Sequence, residues 1–294
     1  MKEEGLRKFQ GREQMINGIK IFDCTLREAG YQTGWFFDED FCRDYYAFAA
    51  KNKIDYLELG FFHDVEADPG RGDLRYCGLR NERLKEIFME SKKIWSGKTK
   101  LSAMRDIQRP LTTIPRQEES VVDAIRILTR SIETDLTILE QHIKEIQELG
   151  YEVFINFTSS GSNTIEQNIK FAQFAQSLGV RVIYFADTES IFTDSYVENT
   201  LKLCQGLNNV NVGMHLHNKN GKVEELLDVA LNNHCRYIDV TLMGLGGKWH
   251  DGNLPLEYFF AKNLHNPGYE QTKLKTQLIQ NLIKYHKYSA AILS

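Results

Sequence analysis

Short apolar runs recur along this chain, separated by longer stretches in which apolar residues return every three or four positions. The short runs occupy residues 19–25 (IKIFDCT), 54–62 (IDYLELGFF), 99–104, 121–128, 151–157, 180–186, 210–216 and 237–242. Continuous or alternating apolar character over so few residues reads as buried β-strand. The longer stretches predict helices over 37–51, 132–149, 164–178, 196–207 and 221–233, and another follows a polar, glycine-containing loop at 63–80. Gly150 and Gly179 stand just past two of these, where a residue able to turn left-handed ends a helix. Between residues 105 and 120 helical spacing is hard to find, so the third unit is irregular. Eight evenly spaced strands, helical connections and no break in composition predict one α/β domain. A (β/α)8 TIM barrel over residues 18–265 fits this rhythm better than a doubly wound sheet. Residues 1–17 form a polar N-terminal extension, and a C-terminal helical segment, 266–294, carries an extra helix over 271–292. In such a barrel every strand opens at its C-terminal end onto one mouth, where chemistry collects.

Composition narrows the range of functions. The 294 residues carry 36 Lys and Arg against 40 Asp and Glu, a net charge of −4, which argues against a nucleic-acid partner. No run approaches the ~18 apolar residues of a membrane span, and the N-terminal MKEEGLRKFQGREQ has no apolar core. Neither a membrane partner nor a cleaved signal is expected, and the expected location is cytoplasmic. Five cysteines (Cys24, Cys42, Cys77, Cys204 and Cys235) contain no C-x-x-C spacing, so buried free thiols are expected in place of a zinc site or disulfides.

The polar residues at the predicted strand ends hold the candidate chemistry. Gly-Met-His-Leu-His-Asn at 213–218 sets His215 and His217 two residues apart, so both project from one face of the seventh strand. A metal pair and two hydrogen-bonded structural histidines both fit that spacing. Asn218 either orients a ligand or caps the helix that follows. The first strand closes on Asp-Cys-Thr-Leu-Arg-Glu at 23–28. Glu28 there could bind a cation while Arg27 holds a developing oxyanion, or the two could form a solvated ion pair. Glu58, inside YLELGFF, needs a partner if buried, and Arg27 is the obvious one. After the eighth strand LMGLGGKWHDGN leads into LPLE at 254–257. A glycine-rich turn in that place suggests backbone approaching a ligand, and it lacks the spacings of a phosphate loop.

In combination these segments resemble the HMG-CoA lyase-like superfamily, the DRE-TIM metallolyases. That superfamily includes 4-hydroxy-2-oxovalerate aldolases, HMG-CoA lyase, and the isopropylmalate and homocitrate synthases. The matching elements are T-L-R-[DE] (Thr25 to Glu28), Glu58, H-x-H-N after strand seven, and G-L-G…G-N-x-P-L-E (Gly244 to Glu257), in the family's order over residues 19–260. The resemblance implies a divalent metal held by Glu28, His215 and His217, with Asn253 as a fourth ligand. It implies that Arg27 stabilises an enolate oxygen, that Glu58 positions Arg27, and that Asp187-Thr188 has a structural part. Mn²⁺ is the implied cofactor, and the mixed nitrogen and oxygen donors also suit Zn²⁺, Co²⁺ or Mg²⁺.

Departures from the family pattern sharpen the expectation. Glu28 replaces the commoner Asp, and Lys248 stands where HMG-CoA lyase carries a catalytic Cys. Arg-Glu-Ala-Gly-Tyr-Gln replaces the R-[DE]-G-E-Q of the synthases, and Tyr31 takes the place of the acid/base His of pyruvate aldolases. The segment DCTLREAGYQTGWFF is most similar to aldolase-domain proteins of bacterial surface-polysaccharide gene clusters. The resemblance therefore implies a metal-dependent aldolase, a carbon–carbon lyase, that cleaves or forms a 4-hydroxy-2-oxo acid from pyruvate and an aldehyde. Tyr31 is the candidate acid/base, or else a packed aromatic residue; His63, or His250 with Asp251, could serve instead. Asn218, Lys248, His250 and Asp251 are candidate substrate contacts. A small 2-oxo acid and an aldehyde would be the partners, and a homo-oligomer, most simply a dimer, is implied. An acyl-CoA-dependent Claisen synthase and a non-catalytic barrel that binds a metal or a sugar are the alternatives.

Overall fold

The computed structural model describes residues 18–109, 114–130, 136–247, 252–262 and 267–289. The expected extension at 1–17 and the residues Lys248, His250 and Asp251 lie outside them. Eight strands, β1 (Lys20–Asp23), β2 (Tyr56–Phe61), β3 (Lys100–Asp106), β4 (Ala124–Thr129), β5 (Glu152–Phe157), β6 (Val182–Ala186), β7 (Asn211–His215) and β8 (Tyr237–Val240), lie side by side in chain order. All neighbours are parallel, and β1 pairs with β8 to close the barrel. The helices are α1 (Thr25–Thr33), α2 (Glu39–Lys51), α3 (Asn81–Ile94), α4 (Leu136–Glu148), α5 (Ile165–Ser177), α6 (Asp194–Cys204), α7 (Val223–Asn232), α8 (Leu256–Lys262) and α9 (Tyr269–Tyr285).

The irregular third unit is as the sequence predicts. Among the described residues the β3–β4 connection holds one 3-10 turn, Gln117–Glu119. All five cysteines are buried free thiols. The C-terminal helix α9 covers α1 and α2 through Leu274 and Leu278, and the side-chain oxygen of Asn281 accepts the Asp38 amide at 2.7 Å. No described helix is long and apolar enough to cross a membrane.

Several boundaries differ from the sequence reading by a few residues, the helices Thr25–Thr33 and Leu256–Lys262 are not among those it predicts, and one boundary bears on the site. The first strand stops at Asp23, and Thr25 opens α1, so Arg27 and Glu28 ride on the first turn of a helix and not on a strand. The cause is local hydrogen bonding of the kind that ends a strand and starts a helix. Asp23 Oδ1 accepts the Thr25 amide at 2.8 Å, while the Tyr45 hydroxyl donates to Asp23 Oδ2 and meets Thr25 Oγ1, each at 2.8 Å. Thr25 Oγ1 also accepts the Leu242 amide at 2.7 Å, which ties the start of α1 to the loop after β8.

Alternate residues of the strands fill the barrel interior in layers. The lower layer is aromatic: Phe22 stacks on Tyr56 at 5.1 Å and meets Phe154 and Tyr184 edge-on at 5.8 Å each. Gly213 makes room for this layer, since a Cβ there would overlap the Tyr184 ring. Two residues further along the strands, Glu58, Arg126, His215 and Asp239 stand above that floor. The apolar layer thus sets the height of the charged one. Phe22→Ala should lower stability by about 3–5 kcal/mol in urea unfolding. A loss below about 1 kcal/mol would contradict a closely packed floor.

Candidate active site

Arg126 lies at the centre of the charged layer and is fully buried. Its guanidinium sits over the Phe22 ring at 4.4 Å and the Tyr184 ring at 4.8 Å. Nε donates to Glu58 Oε1 at 2.9 Å, Nη2 to Glu58 Oε2 at 2.6 Å, and Nη1 to Asp239 Oδ2 at 2.6 Å. One buried cation therefore fixes two carboxylates from strands on either side of β1.

Each carboxylate then orients a second group. Glu58 Oε2 accepts from Arg27 Nε at 2.5 Å, the partnership expected from the sequence. Arg27 Nη1 pairs with Glu28 Oε1 at 2.6 Å, and both residues are buried, so this is no solvated surface pair. Arg27 Nη2 is buried with no hydrogen-bond partner among the described residues. Asp239 Oδ2 accepts His215 Nδ1 at 2.8 Å. Burial pushes the Asp239 pKa up, but Arg126 and His215 outweigh it and hold the carboxylate below its ordinary value. An ionised Asp239 only accepts, so the Nδ1 of His215 carries the hydrogen.

The second histidine is held in the same way. His217 Nδ1 faces the Thr188 carbonyl at 3.2 Å, which can only accept, so this ring also leaves Nε2 free of that duty. The two Nε2 atoms face one another at 3.2 Å, with Glu28 Oε1 3.7 Å from that of His215. Burial, reinforced by neighbouring His215, pulls the His217 pKa down to about 3. Burial raises the Glu28 pKa, but Arg27 and then the two histidines hold it below the usual carboxylate value.

Asn253 joins this group from the loop after β8, bridged to His217 in an isolated antiparallel pair. Its Nδ2 donates to the Leu245 carbonyl at 2.8 Å, and its Oδ1 is buried with no partner among the described residues. Gly246, at φ +101°, passes so close that a Cβ would overlap Glu28 Oε2 and Asn253 Nδ2. The glycine-rich turn lets backbone approach these ligand candidates, and Glu257 supports it by accepting the Met243 amide on both oxygens at 3.0 Å.

These donors fit a divalent cation. Two imidazole nitrogens bound to one cation at tetrahedral geometry lie roughly 3.3 Å apart, close to the spacing of the two Nε2 atoms. Glu28 and the unpartnered Asn253 oxygen complete a nitrogen and oxygen set. Charge points the same way: Arg27 and Arg126 face Glu28, Glu58 and Asp239, which leaves one negative charge over in a buried place. A second grouping, Cys24, His215 and Asp239, has ligand atoms within 4.8 Å of one another. Arg126 already occupies that side, touching Cys24 Sγ at 3.2 Å, and burial keeps the thiol pKa well above its ordinary value. A cation there would face a guanidinium, so the Glu28 side is the better site.

The remaining candidates divide. Asn218 Oδ1 accepts the Val223 amide at the start of α7 at 3.3 Å. Asp187 Oδ1 accepts the Ile191 and Phe192 amides at 2.7 and 3.0 Å, and Thr188 supplies the carbonyl that holds His217. Tyr31 packs edge-on against Trp35 at 4.9 Å, half-buried. His63 is buried 4.8 Å from the Phe61 ring. Lys248, His250 and Asp251 lie outside the described residues. Arg126 and Asp239 are missing from the sequence reading, although each is a lone charge in an apolar strand, the signal that marks Glu58.

A model of the HMGL-like family matches residues 120–285, more than half of the chain. The chain belongs to the HMGL-like family. Among curated relatives, this HMGL-like protein is 28% identical over 128 residues to the 4-hydroxy-2-oxovalerate aldolase of Desulfitobacterium hafniense, covering 44% of this chain and 38% of the relative. It is 23% identical over 228 residues to the oxaloacetate decarboxylase of Mycobacterium tuberculosis, covering 77% and 65%. In both cases the chain spans less than two thirds of the curated relative's length. The N-terminal domain of a candidate aldolase from Bacteroides vulgatus shares the fold, with a TM-score of 0.71 at 24% identity over 93% of this chain and 90% of that one. For the HMGL-like barrel, Arg126→Met should cost about 3–5 kcal/mol in urea unfolding, because Glu58 and Asp239 stay buried without their cation. A cost under about 1 kcal/mol would show that the network does not depend on Arg126.

Proposed function

We propose that this HMGL-like protein is a divalent-metal-dependent aldolase that cleaves or forms a 4-hydroxy-2-oxo acid, with pyruvate and an aldehyde as the other reactants. One observation carries the reading: Arg27, whose Nη2 has no hydrogen-bond partner among the described residues, pairs through Nη1 with Glu28, which lies 3.7 Å from His215. The identity of the D. hafniense relative supports the reaction class.

Glu28, His215, His217 and Asn253 would hold the metal, which when bound supplies Lewis acidity toward a 2-oxo acid. Arg27 donates its Nη2 hydrogen to the substrate's C2 oxygen as negative charge develops there. Glu58 and Arg126 keep that donor from swinging, so the hydrogen bond is in place before the charge forms. Tyr31 is the acid/base. Burial raises its pKa against the pull of Arg27, so at neutral pH it is a phenol. In the condensing direction it protonates the aldehyde oxygen as the carbon–carbon bond forms and is left as a phenolate, which regains its proton from solvent. Cleavage runs in reverse through the minor phenolate form, which takes the C4 hydroxyl proton.

The test is pyruvate release from a panel of 4-hydroxy-2-oxo acids by protein stripped with chelator and reloaded with Mn²⁺, Co²⁺, Zn²⁺ or Mg²⁺. Release should need metal and vanish in Glu28→Ala and His215→Ala. Arg27→Gln should retain metal and lose roughly 10²–10³-fold in kcat. Full activity in metal-loaded Arg27→Gln would refute the assigned role. Metal binding with no pyruvate from any acid would turn the assignment to acyl-CoA substrates.

A further inference from the structure

The mouth has a second half that the metal and Arg27 do not use. The candidate metal ligands come from the first turn of α1, the end of β7 and the loops after β7 and β8; the loops after β2, β3 and β4 carry His63, Arg75, Arg109 and Arg130. We propose that His63 and Arg75 form an anion subsite for a carboxylate or phosphate on the aldehyde half of the substrate. The substrate's place in the reaction rests on the aldolase reading; the anion site itself does not.

Both residues are more than nine-tenths buried, with 3% of His63 and 5% of Arg75 exposed. Neither ring nitrogen of His63 has a hydrogen-bond partner among the described residues, and neither has Nη1 of Arg75. Buried donors are rarely left unmade, because burial removes their water without replacement. The two side chains share a location. The Arg75 guanidinium lies 4.0 Å from the Trp35 ring and 4.4 Å from the Phe61 ring, and His63 lies 4.8 Å from the same Phe61 ring. Arg75 grips Asp68 Oδ2 with Nε and Nη2 at 2.6 Å each, and His63 Nδ1 stands 4.0 Å from that oxygen. An aromatic cradle and one carboxylate thus lock Arg75 in place while its third nitrogen stays free.

The surrounding charge favours an anion. Asp68 answers both Arg71 and Arg75, and Asp106 answers both Arg109 and Arg130. Within these pairings four guanidinium groups share two carboxylates, an excess of two positive charges, in a chain whose net charge is −4. Tyr31 packs against the same aromatic cradle: its ring lies 4.9 Å from Trp35 and 6.3 Å from Phe61. A substrate whose reacting oxygen meets Arg27 and Tyr31 therefore extends its far end toward Arg75.

Two arms test this. In the first, metal-stripped protein is titrated with inorganic phosphate, with succinate, and with chloride at matched ionic strength, and thermal unfolding is followed. Phosphate or succinate should raise Tm by about 2 °C or more beyond chloride, as ligand linkage requires. The gain should disappear in Arg75→Gln and in His63→Gln. In the second, the metal-loaded enzyme is given 4-hydroxy-2-oxo acids ending in a methyl, a carboxylate or a phosphate. The anionic substrate should be favoured at least ~30-fold in kcat/KM, and Arg75→Gln should collapse that ratio, whereas a merely structural role would lower all three together. Which of phosphate and carboxylate is preferred identifies the anion. No anion effect on Tm in the wild type, or equal use of neutral and anionic substrates, would overturn the proposal while leaving aldolase activity standing. Anion stabilisation through Arg75 without any pyruvate release would uphold the subsite and sink the aldolase reading.

Discussion

A guanidinium buried at the centre of a barrel is costly unless every side of it is answered, and the interior of this protein is arranged around that requirement. Arg126 rests on the faces of Phe22 and Tyr184 and spends its nitrogens on Glu58 and Asp239. Those two carboxylates in turn reach Arg27 and His215. The chemistry at the mouth is thus held from below by one ion. The aromatic floor fixes the height of Arg126, Arg126 fixes the carboxylates, and these fix the Arg27 guanidinium and the His215 ring.

The mouth is electrically divided. Around Glu28 and the histidines, three carboxylates outnumber two guanidinium groups, which suits a cation. Around His63 and Arg75 the balance is reversed. A substrate with an oxo-acid end and an anionic far end would find complementary charge at both ends, and the same polarity would fix which way round it enters.

Much of this was legible in the sequence because it follows short periods. The strand–helix alternation came from apolar spacing, and the pairing of His215 with His217 came from the two-residue repeat of a strand. Lone charge in an apolar strand marked Glu58, and its partner Arg27 followed from adjacency of the first two strands. The same mark stood at Arg126 and Asp239, but their pairing joins strands far apart in the chain, which no local spacing encodes. The end of β1 was misplaced for a related reason. The turn from Asp23 into α1 is held by Tyr45 and Leu242, partners that the fold alone brings near. Helical spacing failed between β3 and β4 where the described residues do hold only a short turn.

The central claim is that Asp239 and the Thr188 carbonyl set both imidazoles with Nε2 toward one cation. Long-range ¹H–¹⁵N correlation of the histidine rings, recorded on metal-stripped protein and again with one equivalent of Zn²⁺, reads this directly. The account predicts that in the zinc-loaded protein both His215 and His217 carry the hydrogen on Nδ1, and that both Nε2 resonances move on metal addition. An Nε2–H tautomer in either ring with zinc present, or resonances indifferent to the metal, would contradict it.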